Sequence, residues 1–263
     1  DSQNILWAAT QSMGVYKYYL YHDAFNHIVP FPEQKEHSGN IIHSVIGMGK
    51  NQFLIGSEAG LIMHHREKNT FKKITPKSTG NENFMVTKIL PFAEDSLLIG
   101  TWGDGLWVFH SDKQILTKPK AFREDNKYSQ IFDLFADDEK NVWVGLHEEG
   151  LLKLDRKLNI KAHYTPDGDK HIISGISVRR IFQDKSGNIW IGHLTKGIDI
   201  LNKSTNKIRN IVNDFSGKSQ ISNNDILNFF EDSRGNIWIG TNGGGVNLYL
   251  SEKDEFIHPK EKD

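Results

Sequence analysis

The sequence predicts an all-β fold: a β-propeller of four-stranded antiparallel blades. Three observations predict it. One hexapeptide occurs twice, weaker copies of it recur at a near-constant interval along all 263 residues, and each interval is patterned as strands and tight turns. The hexapeptide Gly-Asn-Ile-Trp-Ile-Gly stands at 187–192 and again at 235–240. Weaker copies are Asn141-Val142-Trp143-Val144-Gly145, Leu97-Leu98-Ile99-Gly100, Phe53-Leu54-Ile55-Gly56 and the degenerate Ile5-Leu6-Trp7-Ala8-Ala9. The tryptophan position of these copies falls at 7, 54, 98, 143, 190 and 238, which are intervals of 44 to 48 residues. A period of this length marks a supersecondary unit that stacks on its own copies, and four short strands per period make a propeller blade.

The fifth period shows the elements in order. Val178-Arg179-Arg180-Ile181-Phe182 reads as a first strand and Asp184-Lys185-Ser186-Gly187 as a tight turn. Ile189-Trp190-Ile191 is the second strand, Ile198-Asp199-Ile200-Leu201 the third and Lys207-Ile208-Arg209-Asn210-Ile211 the fourth. Branched and aromatic residues bounded by Gly, Asn, Asp and Ser are the signature of strands in hairpins. No window carries helical periodicity with caps. The turn glycine supplies positive φ, and a second glycine (Gly14, Gly60, Gly105, Gly150, Gly197, Gly245) opens the third strand. Trp7, Trp143, Trp190 and Trp238 are expected to be core wedges between blades, not ligand contacts. The repeat cores lie near 1–14, 48–60, 92–105, 137–150, 184–197 and 232–245, and 1–263 is read as one propeller domain. The chain starts at the turn before a second strand, so the first blade lacks its innermost strand and twenty-three strands are expected.

Composition narrows the function classes. A formal net charge of -1 gives no basic surface for nucleic acid. No apolar run is long enough to span a bilayer, so the segment is not expected to insert into a membrane. The opening Asp1-Ser2-Gln3-Asn4 lacks the basic and apolar regions of a signal peptide. With no cysteine, disulfides and thiolate metal sites are excluded.

The last repeat reads Glu231-Asp232-Ser233-Arg234-Gly235-Asn236-Ile237-Trp238-Ile239-Gly240-Thr241-Asn242-Gly243-Gly244-Gly245-Val246. It closely resembles the two-component regulator propeller repeat. Residues 184–197 and 137–150 match it well, and the third copy keeps Gly100-Thr101-Trp102-Gly103-Asp104-Gly105-Leu106. The first two copies depart from it, with Ala9 for the first glycine and Leu54 for the tryptophan. The resemblance implies the periplasmic sensor region of an inner-membrane histidine kinase receptor, from bacteria that scavenge polysaccharides. It further implies a non-catalytic recognition propeller for an oligosaccharide, without cofactor or metal, and a homodimer in the intact receptor. Such receptors continue into an immunoglobulin-like domain, a membrane helix and a kinase, so the chain is read as a fragment of a larger ectodomain.

Three near-motifs fail on context. Gly217-Lys218-Ser219 lacks the preceding glycine and following helix of a phosphate loop. His147-Glu148-Glu149-Gly150-Leu151 has leucine where a zinc-protease helix needs its second histidine. Asp167-Gly168-Asp169 lacks the remaining oxygen ligands of a calcium loop.

Function is expected on the loops between second and third strands, which vary over a uniform frame. They are Gln11-Ser12-Met13, Glu58-Ala59, Trp102-Gly103-Asp104, His147-Glu148-Glu149, His193-Leu194-Thr195-Lys196 and Asn242-Gly243-Gly244. The ligand-contact candidates among them are Trp102, Asp104, His147, Glu148, His193, Lys196 and Asn242, with the Trp102 indole placed to stack on a sugar. A second set, Ser44, Lys88, Asp133, Arg180 and Asn228, puts a polar residue at one fixed place in each first strand, as a ring lining a wet channel would. Two other readings stand beside the sensor. One is a propeller lyase of the kind that opens streptogramin antibiotics, using histidine and magnesium, against which the Trp-Ile-Gly and Trp-Val-Gly copies count. The other is a plain protein-interaction platform.

Overall fold

The computed structural model describes residues 5–9, 15–19, 22–33, 38–76, 85–123, 126–169, 171–214 and 221–258, with backbone alone before residue 28. The Trp7 side chain, the 11–13 loop, Gly14, the 217–219 stretch and the tail 259–263 lie outside what is described. Within it the chain is all-β, with twenty-three strands, three short 3-10 turns and no α-helix among the described residues. Blade 1 has three strands, β1 (Ile5–Ala9), β2 (Val15–Tyr19) and β3 (His22–Ile28). Blade 2 is β4 (Ile42–Gly47), β5 (Gln52–Ser57), β6 (Gly60–His65) and β7 (Thr70–Ile74). Blade 3 is β8 (Met85–Ala93), β9 (Ser96–Trp102), β10 (Leu106–His110) and β11 (Ile115–Thr117). Blade 4 is β12 (Ile131–Ala136), β13 (Val142–Leu146), β14 (Leu151–Leu154) and β15 (Ile160–Tyr164). Blade 5 is β16 (Val178–Gln183), β17 (Ile189–His193), β18 (Ile198–Asn202) and β19 (Lys207–Ile211). Blade 6 is β20 (Ile226–Glu231), β21 (Ile237–Thr241), β22 (Gly245–Leu250) and β23 (Glu255–Ile257). Each sheet is built from strands consecutive in sequence, paired as antiparallel hairpins. The chain forms two compact units, Asp1–Gln130 with blades 1 to 3 and Ile131–Asp263 with blades 4 to 6.

The repeat motif explains the first hairpin. Asp184 accepts hydrogen bonds from Asn188 N at 2.8 Å, Asn188 Nδ2 at 2.9 Å and the Trp190 indole N–H at 2.8 Å. Asp137 does the same for Asn141 and Trp143, and Asp232 for Asn236 and Trp238. One carboxylate therefore closes the turn and satisfies the only polar atom of an otherwise apolar wedge, which a buried indole requires. Gly187 and Gly235 sit at φ +85° and +80° in this turn, as expected; Lys140 takes the same left-handed position in blade 4 at +64°.

The tryptophans pack as predicted in blades 4 and 5. Trp143 lies against Val178, Ile181 and Ile189 of blade 5, and Trp190 against Ile226, Phe229 and Ile237 of blade 6. In unit 1, Leu54 holds the corresponding place against Val86, Ile89 and Trp107. Each fully buried aliphatic side chain contributes about 1.5–3 kcal/mol, so these seams between blades are the main source of stability. The glycine two residues after the tryptophan position is part of the seam. A Cβ on Gly192 would lie 2.7 Å from Ile226 Cγ2, on Gly145 2.7 Å from Val178 O, and on Gly56 2.5 Å from Val86 Cγ1.

Trp238 departs from expectation. It is only half-buried, and on its blade Phe230 is 63% and Val246 50% exposed, with nothing within 4 Å of a Cβ placed on Gly240. Among the described residues of unit 2, Trp143 and Trp190 are covered by the first strand of the next blade, and Trp238 has no such cover there.

Candidate functional site

The loops between second and third strands are stitched to the segments that lead into first strands. In unit 2, Gly150 N donates to Ile176 O at 2.6 Å and Leu194 N to Ser177 O at 3.1 Å. One blade on, Gly197 N donates to Asn224 O at 3.0 Å and Asn242 N to Asp225 O at 2.9 Å. Unit 1 repeats the pattern, with Gly105 N on Ser129 O and Glu58 N on Ile41 O. The segments leading into blades 5 and 6 are thereby tied both to the loop of their own blade and to that of the blade before, so the varied side chains there stand on a fixed backbone.

Of the candidate contacts in unit 1, Trp102 ends β9 half-buried, its backbone bridged to Gln130. Asp104 is held by Lys118, whose Nζ lies 2.6 Å from Oδ1 and also sits 5.1 Å from the centre of the Trp107 ring. In unit 2, half-buried His147 meets Phe132 edge to face at 5.5 Å. Glu148 is exposed, and its N–H donates to Ser177 Oγ at 3.1 Å. Lys196 is exposed. Asn242, also exposed, donates from Nδ2 to Asp225 Oδ2 at 2.9 Å, and the other Asp225 oxygen pairs with Arg179.

His193 is placed differently from the loop position its sequence assigns. It is the last residue of β17 and its side chain is fully buried, with Nε2 donating to Asp199 Oδ2 at 2.8 Å. Asp199 also accepts from Ser174 N at 2.6 Å, Ser174 Oγ at 2.7 Å and Asn210 Nδ2 at 2.9 Å. Burial pushes the Asp199 carboxyl up, but the bonds from His193 and Ser174 outweigh it and hold it below the ordinary 3.8.

The five inner-strand candidates share a backbone device. A β-bulge precedes each of Ser44, Lys88, Asp133, Arg180 and Asn228 in its strand. Three of them reach the first strand of the following blade. Ser44 Oγ accepts from Ile89 N at 3.0 Å, Asp133 Oδ2 accepts from Ile181 N at 3.0 Å, and Arg180 Nε donates to Leu227 O at 2.8 Å. Arg180 also stands 3.5 Å from buried Asp133. Lys88 is half-buried and Asn228 exposed. The bulged residues Phe132 and Arg179, together with Asp225, escaped the sequence reading; their signal was their fixed place directly before the polar ring position and before β20.

In unit 2 the arrangement therefore offers an aromatic pair, an Arg–Asp–Asn array and the Glu148–Ser177 contact. These are ring faces, charged N–H donors and carboxylate acceptors, which suit a ligand carrying many hydroxyl groups. Among the described residues, no three His, Asp or Glu side chains gather as a metal site.

Blades of this build, with varied loops over a repeated frame, define the class: a β-propeller made of short sequence repeats. A family model described as two-component regulator propeller matches residues 172–195 and 220–243, each running from a leading segment through the second strand. Comparison with curated protein sequences returns no match. Among solved structures, the chain is similar to the extracellular domain of the hybrid two-component system BT3049 from B. thetaiotaomicron, at 22% identity and a TM-score of 0.74 over 94% of this chain. It spans 32% of that structure's length. It is also similar to virginiamycin B lyase from Staphylococcus aureus, at 9% identity and a TM-score of 0.70, covering 100% of this chain and 83% of the lyase. A third likeness is PorZ, a surface component of the type-IX secretion system of Porphyromonas gingivalis, at 13% identity and a TM-score of 0.62 over 92% of this chain and 37% of PorZ. At these identities the likenesses show the propeller fold alone.

Proposed function

We propose that this chain is the non-catalytic recognition propeller of an extracytoplasmic two-component sensor and that it responds to a saccharide. The observation that carries this reading is in unit 2, where the Phe132–His147 ring pair stands in blade 4 and the Arg179–Asp225–Asn242 array stands in blades 5 and 6, within the residues that match the two-component regulator propeller model. Aromatic faces pack on the apolar side of a pyranose, while paired donors and acceptors read its hydroxyls. A periplasmic location, a homodimer in the intact receptor and a kinase output belong to the same proposal, and the match of 172–195 and 220–243 supports them. The lyase reading draws support from fold similarity at 9% identity, and of the two histidines it would use, His147 and His193, the second is buried on Asp199.

The test is a panel of oligosaccharides against the protein, read as a shift in melting temperature, with His147→Ala and Asn242→Ala as controls. A ligand at a hundred times its Kd adds about 2.7 kcal/mol of stability, a shift such an assay resolves, and each variant is expected to reduce it. If no saccharide moves the melting temperature, saccharide recognition by this chain is refuted. Metal-dependent turnover of a streptogramin, lost on His147→Ala or His193→Ala, would establish the lyase instead.

A further inference from the structure

The leading segment of blade 5, residues 171–177, is pinned from beneath by a buried charge that none of its surface contacts needs. Asp199 and His193 are both fully buried, and they meet Ser174 in the middle of that segment through Ser174 N at 2.6 Å and Ser174 Oγ at 2.7 Å from the Asp199 carboxylate. From the same segment, Ile176 O takes the Gly150 amide, Ser177 Oγ takes the Glu148 amide and Ser177 O takes the Leu194 amide. The loops of blades 4 and 5 thus converge on one short segment, and that segment is fixed to one carboxylate. The histidine contributes through a single nitrogen. Its Nε2–H faces Asp199 Oδ2, while Nδ1 is buried without a hydrogen-bond partner. The backbone at Gly175 closes over that nitrogen, since a Cβ there would lie 2.7 Å from Nδ1.

Blade 6 performs the same task without charge. Its leading segment is pinned at Ser222, whose N–H donates to Asn247 Oδ1 at 2.8 Å and whose Oγ accepts from Asn247 Nδ2 at 3.0 Å. Thr241 Oγ1, where blade 5 has His193, lies 3.2 Å from Ser222 Oγ. Ser174, His193 and Asp199 correspond to Ser222, Thr241 and Asn247 by strand register, since Val178 pairs with His193 as Ile226 does with Thr241, and Ile191 with Asp199 as Ile239 does with Asn247. The neutral set is self-consistent because one amide supplies both a donor and an acceptor. In blade 5 all four facing groups donate to the carboxylate, so an amide placed there alone would set donor against donor.

We infer that Asp199 and His193 are positioning residues, which hold segment 171–177 and through it lock the loops 147–149 and 194–196 into one arrangement. The inference takes the importance of these loops from the proposed function, but its test needs no ligand. The experiment is native-state hydrogen exchange of the protein carrying Asp199→Asn, and of the double variant Asp199→Asn/Asn210→Ala, which removes the donor that an amide there would face and so transplants the blade 6 solution. The single variant is expected to speed exchange at Ser174, Gly150 and Leu194 by about tenfold or more, as lost bonds to a buried carboxylate should. The Ser222 and Asn242 amides of blade 6 are expected to keep their rates, and the double variant to restore the Ser174, Gly150 and Leu194 amides towards wild type. Unchanged exchange at Ser174, Gly150 and Leu194 would overturn the inference, as would an equal acceleration at Ser222 and Asn242. Should Asp199→Asn fail to fold, the double variant decides alone. Wild-type exchange in it supports the transplant, and failure to fold overturns it.

Discussion

Removing the bond between an aspartate and a tryptophan in one repeat separates what the indole contributes by shape from what it contributes by its N–H. Trp190 is 1% exposed and packs edge-on to Phe229 at 6.0 Å and Tyr249 at 5.1 Å, while its N–H reaches Asp184 Oδ2 at 2.8 Å. Trp190→Ala removes the ring and leaves a cavity, at a cost of about 3–5 kcal/mol. Trp190→Phe keeps most of the apolar volume but takes the indole donor from the carboxylate, which costs about 1.5–3 kcal/mol. Asp184→Ala strips the turn of its acceptor and leaves a buried N–H unpaired, a loss of similar size. Because the last two changes break the same bond, the Asp184→Ala/Trp190→Phe double variant should cost less than the sum of its parts by about 1–3 kcal/mol. In blade 6 the corresponding bond from Trp238 to Asp232 is 3.2 Å long and its indole is half-buried, so the coupling there should be smaller. Guanidinium denaturation at constant m-value measures all of these. Additive costs in blade 5 would refute the argument that the aspartate is there for the indole. A Trp190→Ala protein as stable as wild type would refute the repeat register itself.

Gly192→Val should destabilise by about 1–3 kcal/mol through overlap with Ile226, whereas Gly240→Val, at the same place in blade 6, should be close to neutral; melting temperatures compare them directly. Arg180→Ala should fold and lose about 1–2 kcal/mol with its bond to Leu227 O and its contact to Asp133, with no change in any ligand response, as calorimetric titration would report. Acid should act through Asp137, Asp199 and Asp232, each raised by burial but lowered more by its hydrogen bonds, to values below the ordinary 3.8. A depressed folded value means that their stabilisation is complete above 3.8 and is lost as pH falls through the folded values. The denaturation midpoint should therefore decline from these groups only below about pH 4, and a midpoint still flat at about pH 3 would contradict this.

The period, the strand order within a blade and the three described strands of blade 1 were legible because each depends on local patterning. The 44- to 48-residue spacing and the turn glycines mark where hairpins must bend, and all four strands of blade 5 fall where the sequence places them. What stayed hidden depends on the third dimension. Asp184 looked like a turn residue, and its second task, six residues on at Trp190, appears only once the hairpin is folded. His193 looked like a loop residue because a histidine beside Leu-Thr-Lys reads as polar surface; it is buried because Asp199 and Ser174 supply a polar interior. Arg179 and Phe132 were passed over because a bulge changes which side of a strand a residue faces, and alternation in the sequence gives no sign of it. Trp238 shows the converse limit: a repeat specifies the wedge, but only a neighbouring blade makes it buried.

The bare glycine in each seam acts as a gauge. With a Val or Ile side chain of the next blade resting on peptide backbone, the separation of two blades is set by a methyl radius and not by an adjustable rotamer. Such contacts are stiff, and at the three seams of Gly56, Gly145 and Gly192, each within one unit, a blade inherits its orientation from the one before. An error at Gly145 would therefore not stay at Gly145. It would tilt blade 5, and with it every loop that blade 5 carries, so that a substitution far from the loop face would register there as a displacement. Tolerance at this position is mechanical before it is energetic.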